Sequence, residues 1–577
     1  METEGKMEKL NGAAQLVRAL EDLGVTEIFG YPGAAVVDIY DELYNSKKIH
    51  HTLARHEQGA VHEADGYARA SGKVGVALVT SGPGATNTVT AIATAYMDSI
   101  PLVVISGQVS TGLIGTDAFQ EVDTVGVTRP VVKYSFLCKK PEDIVPDIRK
   151  AFYIASTGRK GPVVVDIPKN CQTKRYVFEY EQGGEVRLRS YNPTVFGHRG
   201  QVKRACDELL KARRPVLLLG GGVVQGDACN EARQLARMLR LPVVCTFMGL
   251  GAFPESDPQC LGMLGMHGLY AANEIMNGSD LVLAVGCRFA DRATNNVKKF
   301  CPDATIVHID VDPASISKTV HADIPIVGDA RVVMGQMLQV LKDSEIRPNS
   351  ELDPWWKQID EWRRIHPLGY TKKEGMIRPQ EVIEKIYEKT KDLDPIVTTD
   401  VGQHQMFTAQ FFKFDEPRRL ISSGGLGTMG FGVPAAVGAQ KALPGRLVLC
   451  ITGDGSFQMC MQELAVARKY AMPLKIFILD NSVLGMVRQF QTVFYHHRYA
   501  GTNLDFNPDF VKMADAFGCE GFRVKPGDDI GAAIDRALAV KDRSCIVDFI
   551  TDTNAIVLPW QRADGSMIEM ILDEEGN

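Results

Sequence analysis

Residues 447–460 read LVLCITGDGSFQMC and residues 474–481 read LKIFILDN. Each begins with a short apolar run of strand type, and Gly453, Asp454 and Gly455 follow directly on the first. Between that GDG and the pair Asp480-Asn481 lie 24 residues, enough for one helix. A strand, helix and strand in a right-handed crossover bring Asp454 and Asn481 to the same edge of two parallel strands. One carboxylate and one amide oxygen there suit Mg²⁺, with phosphate oxygens, a backbone carbonyl and water completing the octahedron. Gly453 and Gly455 let the backbone come close to a diphosphate, and the helix N-terminus favours its charge. A plain Asp-Gly turn is the alternative reading.

The same rhythm runs outward from this unit. Residues 12–107 alternate helical periodicity with β-rich runs (VRALEDLG, EIFG, VGVALVT, PLVVISG), and the pattern ends near Pro168. The polar stretch 170–200, with EQGGE and YNPT, reads as a linker. A second α/β unit runs from RRPVLLLGGG to Leu341, and residues 348–370 form a connector carrying the helix PWWKQIDEW. The third unit opens at PQEVIEKIYEK. The expected fold is α/β, with three doubly wound parallel-sheet domains at 8–170, 195–341 and 375–560, each binding ligands at the C-terminal ends of its strands. A chain of 577 residues is too long for a single core.

Composition narrows the partners. A net charge of -6 offers no basic footprint for nucleic acid. No apolar stretch reaches the roughly 20 residues of a membrane span. The 12 cysteines show no CxxC spacing and read as reduced thiols, and the polar N-terminus METEGKMEKLNG shows no targeting pattern, so a cytoplasmic protein is expected.

GDG followed by an Asn at this distance resembles the metal-diphosphate motif of thiamine-diphosphate enzymes. RHEQGA, at a strand-to-helix junction, resembles the site of that family's activating glutamate, which makes Glu57 the counterpart. The closer resemblance spans residues 12–571 and rests on FGYPGA, SGPGATN, GTDAFQE, DVGQHQM, GGLGTMGFGVPAA and LGMVRQ in this order. Together they are similar to the catalytic large subunits of acetohydroxyacid synthase (acetolactate synthase).

That resemblance implies thiamine diphosphate, Mg²⁺ and FAD as cofactors. It implies that a carbanion formed by decarboxylating pyruvate adds to a second pyruvate or to 2-oxobutyrate, early in branched-chain amino acid biosynthesis. Glu57 would hold or share the proton at N1′ of the aminopyrimidine, which needs burial to outweigh a helix N-terminus that favours ionisation. Phe119, Gln120 and Gly33 would surround the reacting carbon, and Arg292 would meet the second acid's carboxylate. Pro83, Asn87, Gln403, His404, Gly427, Gly453, Gly455, Ser456, Val483 and Met486 carry over as cofactor contacts, with Met429 as the prop that bends the cofactor. Asp454, Asn481 and the Val483 carbonyl would hold the metal.

For FAD the matching residues are Arg159, Gly221, Gly222, Met266, His267, Gly286, Arg288, Asp310 and Asp329, and the flavin would be structural because the joining reaction has no net redox change. GGGVVQG itself departs from GxGxxG. The resemblance further implies a homodimer or homotetramer, because the two half-motifs come from different subunits, and a separate small regulatory subunit. Three departures stand out. Phe490 replaces the usual Trp of GMVxQW, Ser110 replaces Pro after QV, and Pro559-Trp560 replaces PM. The alternatives are a pyruvate oxidase that passes electrons to flavin, and a non-catalytic cofactor-binding scaffold.

Overall fold

The computed structural model describes residues 8–178, 186–344, 346 and 349–574. The EQGGE part of the expected linker and Pro348 of the expected connector lie outside the described residues. Three six-stranded sheets carry the chain, and every pairing within them is parallel. Strands such as Leu102–Gln108 and Pro162–Pro168 are buried along their whole length, as sheets covered by helices on both faces require.

The first sheet is ordered His50–Leu53, Glu27–Tyr31, Gly75–Val79, Leu102–Gln108, Pro162–Pro168, Tyr134–Leu137. The third runs Leu420–Ile421, Ile396–Thr399, Val448–Gly453, Lys475–Asp480, Cys545–Ile550, Glu520–Val524. Counted within each unit, both have the order 2-1-3-4-6-5, so the shared rhythm of their sequences is a shared topology. The middle sheet differs. Its order is 3-2-1-4-5-6, the dinucleotide-binding winding, with the reversal between Pro215–Leu219 and Leu281–Val285.

The first and third units meet through helices Glu57–Ser71 and Gly432–Ala442. A methyl group on Gly66 would lie 2.7 Å from the Ala435 Cα, so only glycine permits backbones this close. Behind this contact Arg69 is buried between Asp65 and Asp98, and it donates to the Ser422 carbonyl of the third unit at 2.8 Å.

Two segments correct the sequence reading. The expected linker is not unstructured throughout: it holds the helix Lys169–Thr173 and the strand Arg175–Phe178, which pairs antiparallel with Glu8–Asn11. A four-residue strand whose partner lies at the other end of its unit leaves no local periodicity to read. Beyond the last strand of the third sheet, the chain returns to the middle unit through a two-stranded ribbon, Trp560–Gln561 with Met570–Ile571, and buries Met567 in that unit's core. The connector helix Asp353–Ile365 also packs there, its Trp355 donating to the Pro215 carbonyl.

Candidate functional site

Val448–Gly453 and Lys475–Asp480 are neighbours, with Gly453 opposite Leu479, so Asp454 and Asn481 leave the sheet at one edge. Asp454 is buried, and its pKa is pushed up to about 7, first by desolvation and then by Asp480. The Asn507 amide donates to Asp454 at 2.7 Å and to Asp480 at 3.3 Å. Two adjacent buried carboxylates bridged only by a neutral amide form a site that a divalent cation would stabilise. Asn481 Oδ1 accepts the Val483 N–H at 3.1 Å, which fixes the turn carrying the third expected metal ligand.

Gln403, His404, Gly453, Gly455, Ser456, Val483 and Met486 line one small cavity together with Asp454 and Asn481. Burial holds His404 down to about 3, and its Nε2 has no partner among the described residues. A neutral imidazole can donate to a phosphate oxygen from this nitrogen in the tautomer that carries its single N–H there.

The GGLGTMGFG loop is clamped from three sides. Asp400 accepts N–H groups from Gly430 at 2.8 Å and Gly432 at 3.1 Å, Ser423 accepts the Thr428 N–H at 3.0 Å, and the Thr428 and Thr94 hydroxyls lie 2.6 Å apart. Met429 is thereby held where it lines both the small cavity and a much larger one.

That larger cavity, of about 970 Å³, stands at the top of the range for small-molecule sites. All nine residues expected to touch a flavin dinucleotide line it: Arg159, Gly221, Gly222, Met266, His267, Gly286, Arg288, Asp310 and Asp329. It lies at the winding reversal of the middle sheet. There Gly286 has φ +58°, and a methyl on Gly222 would lie 2.6 Å from its Cα. Arg288 is desolvated, which lowers its pKa, and no carboxylate forms an ion pair with it among the described residues. A bound diphosphate would answer that need.

Two of the nine carry other duties: Arg159 pairs with Asp312 at 3.2 Å, and Asp329 caps the helix Ala330–Lys342. Burial pushes Asp310 up to about 6. The same cavity is lined by Gly427, Met486, Phe490 and Arg292, and the Arg292 side chain is 69 % exposed and pairs with Asp291 at 3.1 Å.

The first unit gathers a separate group. Glu57 opens its helix after the His56 cap and accepts from the Asn87 amide at 2.9 Å. A methyl on Gly84 would lie 3.6 Å from Glu57 Oε1 and 2.6 Å from Thr80, and one on Gly33 would also lie 2.6 Å from Thr80. Gln120, at φ +59°, presents its carbonyl 2.7 Å from a methyl built on Gly82, directly before Pro83. Glu57, Gly33, Pro83, Asn87 and Gln120 are thus one neighbourhood, with Phe119 beside it 88 % exposed. Neither of the two cavities is lined by any of these residues.

Comparison with known proteins bears on this geometry. The chain matches the family models "Thiamine pyrophosphate enzyme, N-terminal TPP binding domain" over residues 10–127, "central domain" over 202–337 and "C-terminal TPP binding domain" over 400–549. It is 52 % identical over 571 residues to the acetolactate synthase isozyme 3 large subunit of Escherichia coli (strain K12), covering 98 % of this chain and 99 % of that one. Against the acetolactate synthase large subunit of Haemophilus influenzae it is 50 % identical over 568 residues, with the same coverage. The acetolactate synthase of Mycobacterium bovis is 46 % identical over 569 residues, covering 98 % of this chain and 92 % of that protein. The chain belongs to the acetolactate synthase large-subunit family of thiamine pyrophosphate enzymes.

Within that acetolactate synthase frame, sequence reasoning passed over several residues. Asn507 bridges Asp454 and Asp480 from a distant loop that no spacing rule connects to GDG. Asp400 stood inside a quoted motif, but its role as loop clamp depends on partners 30 and 32 residues away. Glu463 of the third unit accepts the Arg55 N–H at 3.1 Å, two residues before Glu57, and burial pushes it up to about 7. Among the described residues no helix is long and apolar enough to cross a membrane.

Proposed function

We propose that this chain decarboxylates pyruvate and joins the two-carbon unit to a second pyruvate or to 2-oxobutyrate. The reading is carried by one juxtaposition: Val401, Gly402, Met429, Met486 and Val487 line both the small cavity suited to a metal diphosphate and the large cavity containing Phe490 and Arg292. When bound, thiamine diphosphate supplies the carbon nucleophile and the electron sink. The protein supplies placement. Asp454, Asn481 and the Val483 carbonyl would hold Mg²⁺, and His404 and Gln403 would meet the diphosphate. Met429 would fix the cofactor's bend, and FAD would fill the large cavity without exchanging electrons.

Glu57, oriented by Asn87, would hold the proton at the pyrimidine nitrogen. Since Glu57 does not line the cavity that holds Asp454, the pyrimidine half and the diphosphate half would come from two copies, making a dimer the smallest active form. Gln120 and Phe119 would then arrive from the partner copy over the reacting carbon. Arg292 would exchange its exposed pairing with Asp291 for the acceptor's carboxylate. The relatives named as large subunits support a separate small regulatory subunit, and the 12 unpaired cysteines fit the cytosol. Incubating the purified chain with pyruvate, thiamine diphosphate and Mg²⁺ should yield acetolactate with no external oxidant. Acetate with flavin reduction, or no turnover, would refute the reading.

A further inference from the structure

Trp560 heads the largest fully buried side chains among the described residues, at 1 % exposed, yet it belongs to the tail beyond the last strand of the third sheet. Its ring packs edge-on against Phe490 at 4.9 Å between centroids and against Phe494 at 5.2 Å, and it lies 5.7 Å from His267. Phe490 and His267 line the large cavity, whereas Trp560 lines neither cavity. The indole therefore stands behind the wall. Its backing matters because the helix that carries Phe490, Gly485–Phe494, has only Gln489 fully buried.

The tail itself is firmly held. The Gln561 N–H donates to the Met266 carbonyl at 2.8 Å, Asn295 donates to the Arg562 and Gly565 carbonyls at 2.9 and 3.1 Å, and Met567 is sealed in the middle unit's core. Further on, Glu574 pairs with the buried Arg378, which also holds Asp552 at 2.6 Å. The middle unit thus fixes Trp560, and Trp560 in turn fixes a ring of the third unit.

We propose that Trp560 is a positioning residue for the acceptor: it holds the Phe490 ring against the side chain of the second 2-oxo acid and so sets the choice between a methyl and an ethyl group. The inference rests on the proposed function above and takes Phe490, which lines the large cavity together with Arg292 and Met486, as the wall that meets the acceptor where the flavin leaves room. One methylene in an apolar pocket is worth about 10 to 200-fold in selectivity, and only a wall that cannot yield extracts it. A phenyl ring on a half-buried helix face can swing away from a ligand. An aromatic ring edge-on behind it removes that freedom.

The test uses the full chain with its cofactors, supplied with pyruvate and 2-oxobutyrate in competition. Trp560→Leu is expected to lower the ratio of 2-aceto-2-hydroxybutyrate to acetolactate by about threefold or more, within the range one methylene allows, and Trp560→Phe to restore most of it. In a Phe490→Leu background the same Trp560→Leu change should move the ratio by less than about twofold, because the group it acts through is gone. Equal slowing of both products with an unchanged ratio would overturn the proposal. If Trp560→Leu does not fold, Phe494→Leu, which removes the neighbouring edge contact from an exposed position, must shift the ratio in the same direction, and an unchanged ratio there would equally overturn it. Failure of the parent chain to form either product would instead strike the functional reading beneath it.

Discussion

Gly438→Ala tests whether the first and third units are locked together through bare backbone. A methyl built on Gly438 would lie 2.7 Å from the Glu63 carbonyl carbon and 2.8 Å from the Tyr67 nitrogen, with the Glu63 oxygen nearer still. All three obstacles are main chain of helix Glu57–Ser71, so no rotamer change relieves them and the helices must part. Overpacking of this kind costs about 1 to 3 kcal/mol, and the upper end applies where nothing flexible can give. Alanine in a helix returns about 0.5 to 1 kcal/mol relative to glycine. The net expectation is a loss of about 2 kcal/mol, together with a shift of both Glu57 and the Met429 loop, which sit at the N-terminal ends of the two helices. Urea unfolding should show a lower midpoint, and activity should fall at saturating cofactor. A variant with the parent's midpoint and turnover would show that the helices do not bear on one another as described.

Glu57→Gln should abolish proton exchange at the cofactor's reactive carbon while leaving the fold and flavin content intact, and near-normal exchange measured by NMR would remove Glu57 from that role. Asp454→Ala should raise the Mg²⁺ and thiamine diphosphate concentrations needed for half activity, since an anionic ligand is lost, and saturation identical to the parent's would place the metal elsewhere. Asp166, buried in the first sheet, has its pKa pushed up from 3.8 to about 7 by desolvation. In that window the folded state binds more protons than the unfolded, so this group's contribution is complete below about 4 and is lost as pH rises through about 7. Asp166→Asn should flatten that part of the stability-pH curve, and an unchanged slope in urea titrations would refute the assignment.

The sheets were legible because central parallel strands such as Gly75–Val79 and Leu281–Val285 are apolar runs and the crossover helices have their own period. Asp454 and Asn481 were legible because two adjacent strands and one helix fix their separation. What escaped is what depends on distant chain. The strand Arg175–Phe178 exists only through Glu8–Asn11, Asp400 acts only through Gly430 and Gly432, and Trp560 lies in a polar tail whose return to the middle unit no local pattern announces. Asp329 shows the reverse case. Expected from its motif to meet the flavin, it lines the large cavity and also caps the helix Ala330–Lys342.

The helix Glu57–Ser71 also sets a schedule for synthesis. Its covering partner, Gly432–Ala442, lies about 370 residues downstream. At about 5 to 20 residues per second, a ribosome needs roughly 20 to 75 seconds to deliver it. During that interval His62, Glu63 and the Asp65–Arg69 pair, all buried in the finished protein, belong to a nascent domain whose lid has not been made. What that lid finally covers is the bare backbone at Gly66 and the apolar Ala70, which until then face water.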